Sequence, residues 1–169
     1  SLFFPKLFGS CGRKPAFGRS LVIRNASKIH IGKSLLLDDF ASLDVRGDES
    51  SITLGDHVSL GRFSIVAAKG GTIKLGNACN IGTSCRIATN SKIEIGESVL
   101  IAAYCYIGPG NHQQGDNEKP LIAQEMDIKD GVTIGDHAWI GARATILDGV
   151  KIGKRAIIGA HSLVRDNVP

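Results

Sequence analysis

Along most of the chain an aliphatic residue recurs every six positions and is followed by Gly or another small residue. The blocks run Ile31-Gly32, Leu37-Asp38, Leu43-Asp44, Leu54-Gly55, Leu60-Gly61, Val66-Ala67, Leu75-Gly76, Ile81-Gly82, Ile87-Ala88, Ile95-Gly96, Ile101-Ala102 and Ile107-Gly108. After a gap they resume as Ile128-Lys129, Ile134-Gly135, Ile140-Gly141, Ile146-Leu147, Ile152-Gly153, Ile158-Gly159 and Val164-Arg165, and Phe17-Gly18 and Ile23-Arg24 are degenerate earlier copies. The fifth place of a block is almost always small, as in Ala41, Val58, Ser64, Cys79, Cys85, Val99, Cys105, Ala138 and Ala144; Leu35 and Asn111 are the exceptions. A period of six fits neither a helix of period 3.6 nor a long alternating strand. It predicts a short strand and a sharp bend, repeated. The aliphatic residue points inward, and the small residue after it sits at the bend, where Gly is expected for its dihedral freedom. Three blocks close a triangular coil of about 18 residues, and coils stack at the ~4.8 Å strand spacing. The register agrees: Leu54 to Leu75 is 21 residues, Leu75 to Ile95 is 20, and Ile134 to Ile152 is 18.

One interruption is long and polar, Gln113 to Asp127, with Gly115, Asp116, Asn117, Glu118 and Pro120. It cannot join a coil and is expected to project from it, and long loops on rigid scaffolds are where function concentrates. The organisation read from the chain is a lead-in or cap at 1–16 and a parallel β-helix domain at 17–169 carrying the projecting loop 113–127. Three of the six Phe lie within the first eight residues, which reads as an end cap in preference to membrane contact. Ser1 opens the chain and Met126 is its Met, the pattern of a processed or trimmed product.

Composition now has a meaning. The 169 residues include 21 Gly, and aromatics make up only 5%, so the interior is filled by aliphatic and small residues. A hydrophobic content of 43% excludes wholesale disorder, and no apolar run approaches the ~18 residues of a membrane helix. The net charge of +4 is spread along the chain, and nothing in it calls for nucleic acid. Cys79, Cys85 and Cys105 occupy the small fifth slot, and with Cys11 they form no CxxC pair. They read as small core residues in a reducing, cytoplasmic setting, with neither a metal nor a disulfide framework.

The repeat, together with Val99-Leu100-Ile101-Ala102-Ala103-Tyr104-Cys105-Tyr106-Ile107-Gly108-Pro109-Gly110-Asn111-His112 and Val132-Thr133-Ile134-Gly135-Asp136-His137-Ala138-Trp139-Ile140-Gly141-Ala142, resembles the hexapeptide-repeat acyltransferases. It looks like the galactoside/maltose O-acetyltransferase branch and the related sugar acetyltransferases of polysaccharide and lipopolysaccharide biosynthesis. The resemblance covers about Phe17 to Pro169 and implies an all-β, left-handed parallel β-helix, a homotrimer, and active sites between subunits. It also implies acetyl-CoA as acyl donor, a sugar-containing acceptor, and no required metal.

Candidate chemistry follows from both sources. His112 stands at the lip of the loop, outside the inward slots, and a neutral imidazole suits the proton transfer that acyl transfer to a hydroxyl needs. The resemblance gives His112 the role of general base for direct attack on the thioester. Gly141-Ala142 and Gly159-Ala160 lie 18 residues apart, one coil, so they stack at one corner. By resemblance they offer exposed peptide groups to the pantetheine arm, with Trp139 lining the cleft; Arg165, one of the basic residues of the C-terminal coils, is expected to meet a CoA phosphate. Arg165-Asp166 stands where the family commonly has Thr-Lys. For the acceptor, Asn111 is expected to hold an inward slot beside His112, with Asn90 about one coil earlier and Asp38 on an N-terminal coil. Two other readings stay open: N-acetylation of a nucleotide-linked amino sugar, and a non-catalytic or metal-binding β-helix of the γ-carbonic-anhydrase kind.

Overall fold

The computed structural model describes residues 4–108, 111–113, 115 and 118–169. Leu2 and Phe3 of the expected cap, Pro109 and Gly110 of the motif, and Gln114, Asp116 and Asn117 of the projecting loop lie outside the described residues.

Three seven-stranded parallel sheets form the sides of a triangular solenoid. Each coil contributes one short strand to each sheet. The third coil, for example, places Ser51–Leu54 in the first sheet, Ser59–Leu60 in the second and Ile65–Lys69 in the third. Seven coils stack in this way, over 10–24, 29–46, 51–69, 72–89, 92–108, 132–147 and 151–164. Like residues pair with like: Leu75 sits between Leu54 and Ile95, and Ile134 between Ile95 and Ile152. This is the all-β parallel architecture expected of a left-handed β-helix of hexapeptide repeats. Pairing begins at Ser10–Cys11 against His30–Ile31, ahead of the Phe17 boundary expected from the repeat. Phe8 is buried just before it, its ring stacked on Phe17 at 6.0 Å. Among the described residues no helix is long and apolar enough to cross a membrane.

The first residue of the repeat fills the interior as expected. From the second coil onward these Ile, Leu and Val rungs are at most 8% exposed, each worth about 1.5–3 kcal/mol of apolar burial; the exception is Ile128, counted from the sequence as resuming the repeat but 49% exposed and in no strand of the three sheets. The fifth slot is also internal, and its polar members have a further role. Ser64 Oγ donates to the Gly82 carbonyl (2.7 Å), Cys79 Sγ to Gly96 (2.9 Å), Cys85 Sγ to Ala102 (3.0 Å) and Cys105 Sγ to Gly141 (3.1 Å). Each joins one coil to the second-place carbonyl of the next. Burial pushes the Cys79 thiol up from its ordinary pKa, away from the reactive thiolate.

The expected reason for glycine in the second place is overturned. No second-place glycine outside Gly108 has positive φ. The left-handed residue falls two places later and is not glycine: Ser34, Phe40, His57, Phe63, Ala78, Ser84, Ser98, Tyr104, His137, Arg143, Arg155 and His161 all lie at φ 53–62 or, for Tyr104, 63. Their N–H groups reach the coil beneath, as in His57 to Lys33 O (2.8 Å) and Tyr104 to Thr83 O (2.9 Å). The second place needs glycine for room. A Cβ on Gly76 would stand 2.6 Å from the Gly96 carbonyl oxygen, and one on Gly55 2.7 Å from Asn77 Oδ1.

Candidate functional site

The coil is broken between Tyr106–Gly108 and Val132–Ile134, yet Tyr106 pairs with Thr145 and Ile95 with Ile134 as though nothing intervened. The inserted segment therefore leaves and re-enters at the corner between the third and first sheets. Gly108 (φ +122) and Gly131 (φ +86) mark its two ends, and a Cβ at either would run into a backbone carbonyl, Ala88 O or Lys92 O. Both ends thus need glycine for conformation and for space.

At its base the insertion is a two-stranded antiparallel ribbon. Asn111–His112 pairs with Met126–Asp127, Asn111 opposite Asp127 and His112 opposite Met126. The Gln113 N–H donates to the Glu125 carbonyl at 2.8 Å. The outgrowth is thus wider than the expected 113–127: the backbone of Asn111, the residue read from the sequence as holding an inward slot, already pairs with the returning strand at Asp127. Beyond the ribbon, Leu121–Ala123 makes one 3-10 turn, with Ile122 86% exposed. We call the whole outgrowth the arm.

Asn90 and Asp148 are among the polar residues at the arm's corner. Asn90 is half-buried one coil beneath Gly108. Asp148, which sequence reading passed over, is one of the few buried polar residues, at 8% exposure on the sixth coil. Its Oδ2 accepts the Lys129 N–H (2.8 Å) and its Oδ1 the Gly149 N–H (3.0 Å). The signal was available in Leu147-Asp148-Gly149, an Asp-Gly turn pair where other blocks continue with a small second residue.

The other expected residues lie elsewhere. Trp139 is on the outer face of the second sheet, 48% exposed, between Leu100 and Ile157. Gly141-Ala142 and Gly159-Ala160 stack as expected at the corner of the second and third sheets, the opposite edge of the third sheet from the arm. The expectation that Gly141 exposes its peptide groups is corrected. Gly141 is buried, its N–H donates to Ile158 O (2.8 Å), and its carbonyl accepts Cys105 Sγ, because the coils close over it. Gly159 and Ala160, on the seventh coil, are exposed. Arg165 is exposed and pairs with Asp166 at 3.4 Å. Asp38 also lies at the second–third corner but on the second coil, four steps or about 19 Å below Gly141. There its Oδ1 accepts the Asp39 N–H (2.7 Å) and faces Arg62 at 4.0 Å. The structure thus brings Asn90, Asn111 and His112 to one corner and Trp139 and the two Gly-Ala pairs to the other side of the third sheet, and it brings Asp38 to neither group.

Known proteins extend this picture. The family model described as bacterial transferase hexapeptide (six repeats) matches residues 131–166. A probable acetyltransferase of Mycobacterium tuberculosis is 34% identical over 120 residues, which is 71% of this chain and 32% of the relative. The chain therefore spans about a third of that relative's length. The N-acyltransferase AntD from Bacillus cereus, solved with dTDP and 3-hydroxybutyryl-CoA, superposes with a TM-score of 0.58 at 23% identity, covering 96% of this chain and 76% of AntD. The polySia-specific acetyltransferase NeuO gives 0.56 at 19% identity, covering 94% and 77%. A maltose O-acetyltransferase from Clostridium difficile gives 0.50 at 22%, covering 97% and 63%. At these identities the solved structures speak for the shared solenoid. The family model lies on the sixth and seventh coils and the same six-residue rule runs through the coils beneath them, so the chain is built of hexapeptide repeats similar to those the model describes.

Proposed function

We propose that the chain is an acyltransferase that moves the acetyl group of acetyl-CoA to a hydroxyl of a sugar or polysaccharide precursor. The observation that carries this reading is the arm: it breaks the repeat at one corner and fixes the backbone of His112 by ribbon pairing just outside the solenoid. The His112 imidazole takes the proton of the acceptor hydroxyl as its oxygen attacks the thioester carbonyl. The tetrahedral intermediate collapses, the C–S bond breaks, and the departing thiolate of CoA takes the proton back from the imidazolium. Asn111 and Asn90 serve the acceptor side. Trp139, Ala142, Gly159, Ala160 and Arg165 serve the acyl donor, with Gly141 supplying closeness at the corner. The relative named as a probable acetyltransferase and the acyl-CoA seen with AntD support the donor class.

The site is completed between copies in a homotrimer. Its two halves sit at opposite edges of the third sheet, so the arm of one copy meets the Gly-Ala corner of the next. The four cysteines are free, which fits a reducing cytoplasm.

Release of free thiol from acetyl-CoA over a panel of sugars and nucleotide-sugars tests the reading. His112→Ala is expected to lose about 10²–10⁴-fold in turnover and to melt at the wild-type temperature. Acetyl-CoA is expected to raise that temperature through linkage, and EDTA to leave it unchanged. Wild-type turnover in the variant would remove His112 from the mechanism. Thiol release confined to an amino sugar on a nucleotide would move the reading to N-acylation, and a fall with EDTA would favour a metal-binding β-helix.

A further inference from the structure

Three of the buried polar residues, Ser50, Thr89 and Asp148, lie at the corner of the third and first sheets. Ser50 and Thr89 complete the solenoid itself. Ser50 Oγ donates to Arg46 O (2.5 Å) and accepts the Gly70 N–H (2.9 Å), while Thr89 Oγ1 accepts the Ser91 N–H (2.9 Å). Asp148 does something else. One of its oxygens takes the N–H of its own turn at Gly149, and the other takes the N–H of Lys129, which belongs to the arm's returning leg. An ionised carboxylate is an acceptor only, and its bonds to N–H donors are stronger than neutral ones.

The seat has two further parts. The Lys129 stem lies across Gly149, so close that a Cβ there would meet Lys129 Cδ at 3.0 Å. The Gly149 N–H also donates to the Gly131 carbonyl at 2.9 Å. Residues 129 and 131 are thereby fixed on the sixth coil. Two residues before Lys129 stands Asp127, the ribbon partner of Asn111, next to His112. The outgoing leg is fixed separately, by the close approach of Gly108 to Ala88.

We infer that Asp148 is a positioning residue for catalysis: its carboxylate seats the returning leg of the arm and, through the ribbon, sets where His112 stands relative to the solenoid. The inference rests on the reading of His112 as the base. Acyl transfer depends steeply on such placement, since a shift of about 1 Å at the reacting groups costs on the order of a hundredfold.

Asp148→Ala tests it, with Asp148→Asn as a milder variant that keeps one acceptor oxygen and turns an NH₂ toward an N–H donor. Amide exchange is followed across the whole protein alongside thiol release with the best acceptor of the panel. In both variants the ribbon amides, Gln113 and its neighbours, are expected to exchange at least about tenfold faster while the inter-coil amides of the fifth and sixth coils keep their rates. The turnover number is expected to fall about ten- to a hundredfold, with KM for acetyl-CoA within twofold and the pH profile unmoved. Unchanged ribbon exchange would overturn the seat, and equal acceleration throughout the coils would make Asp148 a structural residue of the solenoid. Faster ribbon exchange with full turnover would overturn the positioning role. If His112→Ala itself keeps full activity, the proposed mechanism fails while the exchange result still decides whether Asp148 holds the arm.

Discussion

A methyl group added at Gly76 would press on the Gly96 carbonyl at 2.6 Å, whereas one added at Gly159 would find Ser162 Oγ as its nearest neighbour at 3.6 Å. The two glycines hold the same place in the repeat. Crowding between coils separates them, so Gly76→Ala is expected to cost about 1–3 kcal/mol as an overpacking change, and Gly159→Ala to stay within about 0.5 kcal/mol. Urea titrations of the two variants check this, and equal losses would return the glycine to a conformational role. The positions of these glycines are legible in the sequence, but their reason is not. The residue that bends the chain to the left is Ser, His, Phe, Tyr, Ala or Arg, types with no common propensity for positive φ. Each such residue costs about 1–2 kcal/mol on its own, offset by an N–H bond to the coil beneath, and that partner is about one coil away in sequence. The thiols follow the same logic. Their size places Cys79, Cys85 and Cys105 in the core from sequence alone, and only the stacked structure shows each one donating to a carbonyl of the coil above.

The arm is the element whose existence was plainest and whose form was most hidden. A six-residue count that fails between Ile107 and Ile128 announces an insertion. Its ribbon is two residues long on each side, too short for any periodicity to register. The same brevity hides the start of the first coil, whose strand Ser10–Cys11 reads as a lead-in until its partner His30–Ile31 is seen. Asp148 was hidden for another reason: burial of a carboxylate depends on a partner, Lys129, that joins it only once the chain has returned from the arm. Where the arm re-enters, Gly131 carries φ +86 and has no room for a Cβ beside Lys92 O. Gly131→Ala is therefore expected to displace the arm's root, costing about 1–2 kcal/mol for the left-handed backbone alone, and to lower both the melting temperature and the turnover. Melting and thiol release measured on one preparation check it. Full activity in Gly131→Ala would mean that the root tolerates movement and that the arm acts without a fixed base.

The three faces of the solenoid differ in what they offer. The outward rungs of the first sheet are polar, with His30, Thr53, Lys74, Glu94, Thr133 and Lys151 in register. Those of the second carry Leu100 at 45%, Trp139 at 48% and Ile157 at 68% exposure on three successive coils. This apolar stripe runs beside the corner that holds Gly141-Ala142 and Gly159-Ala160. The arm leaves the solenoid at the other edge of the third sheet from that corner, so in one copy the backbone of the proposed base and the proposed donor corner are separated by the width of that sheet. In the proposed homotrimer the donor corner of one copy receives the arm of another. Mixing inactive variants tests the geometry. His112→Ala disables the arm side, and Ala160→Glu places a negative charge at an exposed point of the donor corner, against the CoA phosphates. Each alone is expected to be inactive. In the proposed homotrimer, unfolding the two together and refolding them makes mixed trimers in which a site pairs an intact arm with an intact corner about one time in four, and close to a quarter of wild-type activity should return. A site contained in a single chain would regain nothing, because every chain in the mixture carries one of the two lesions.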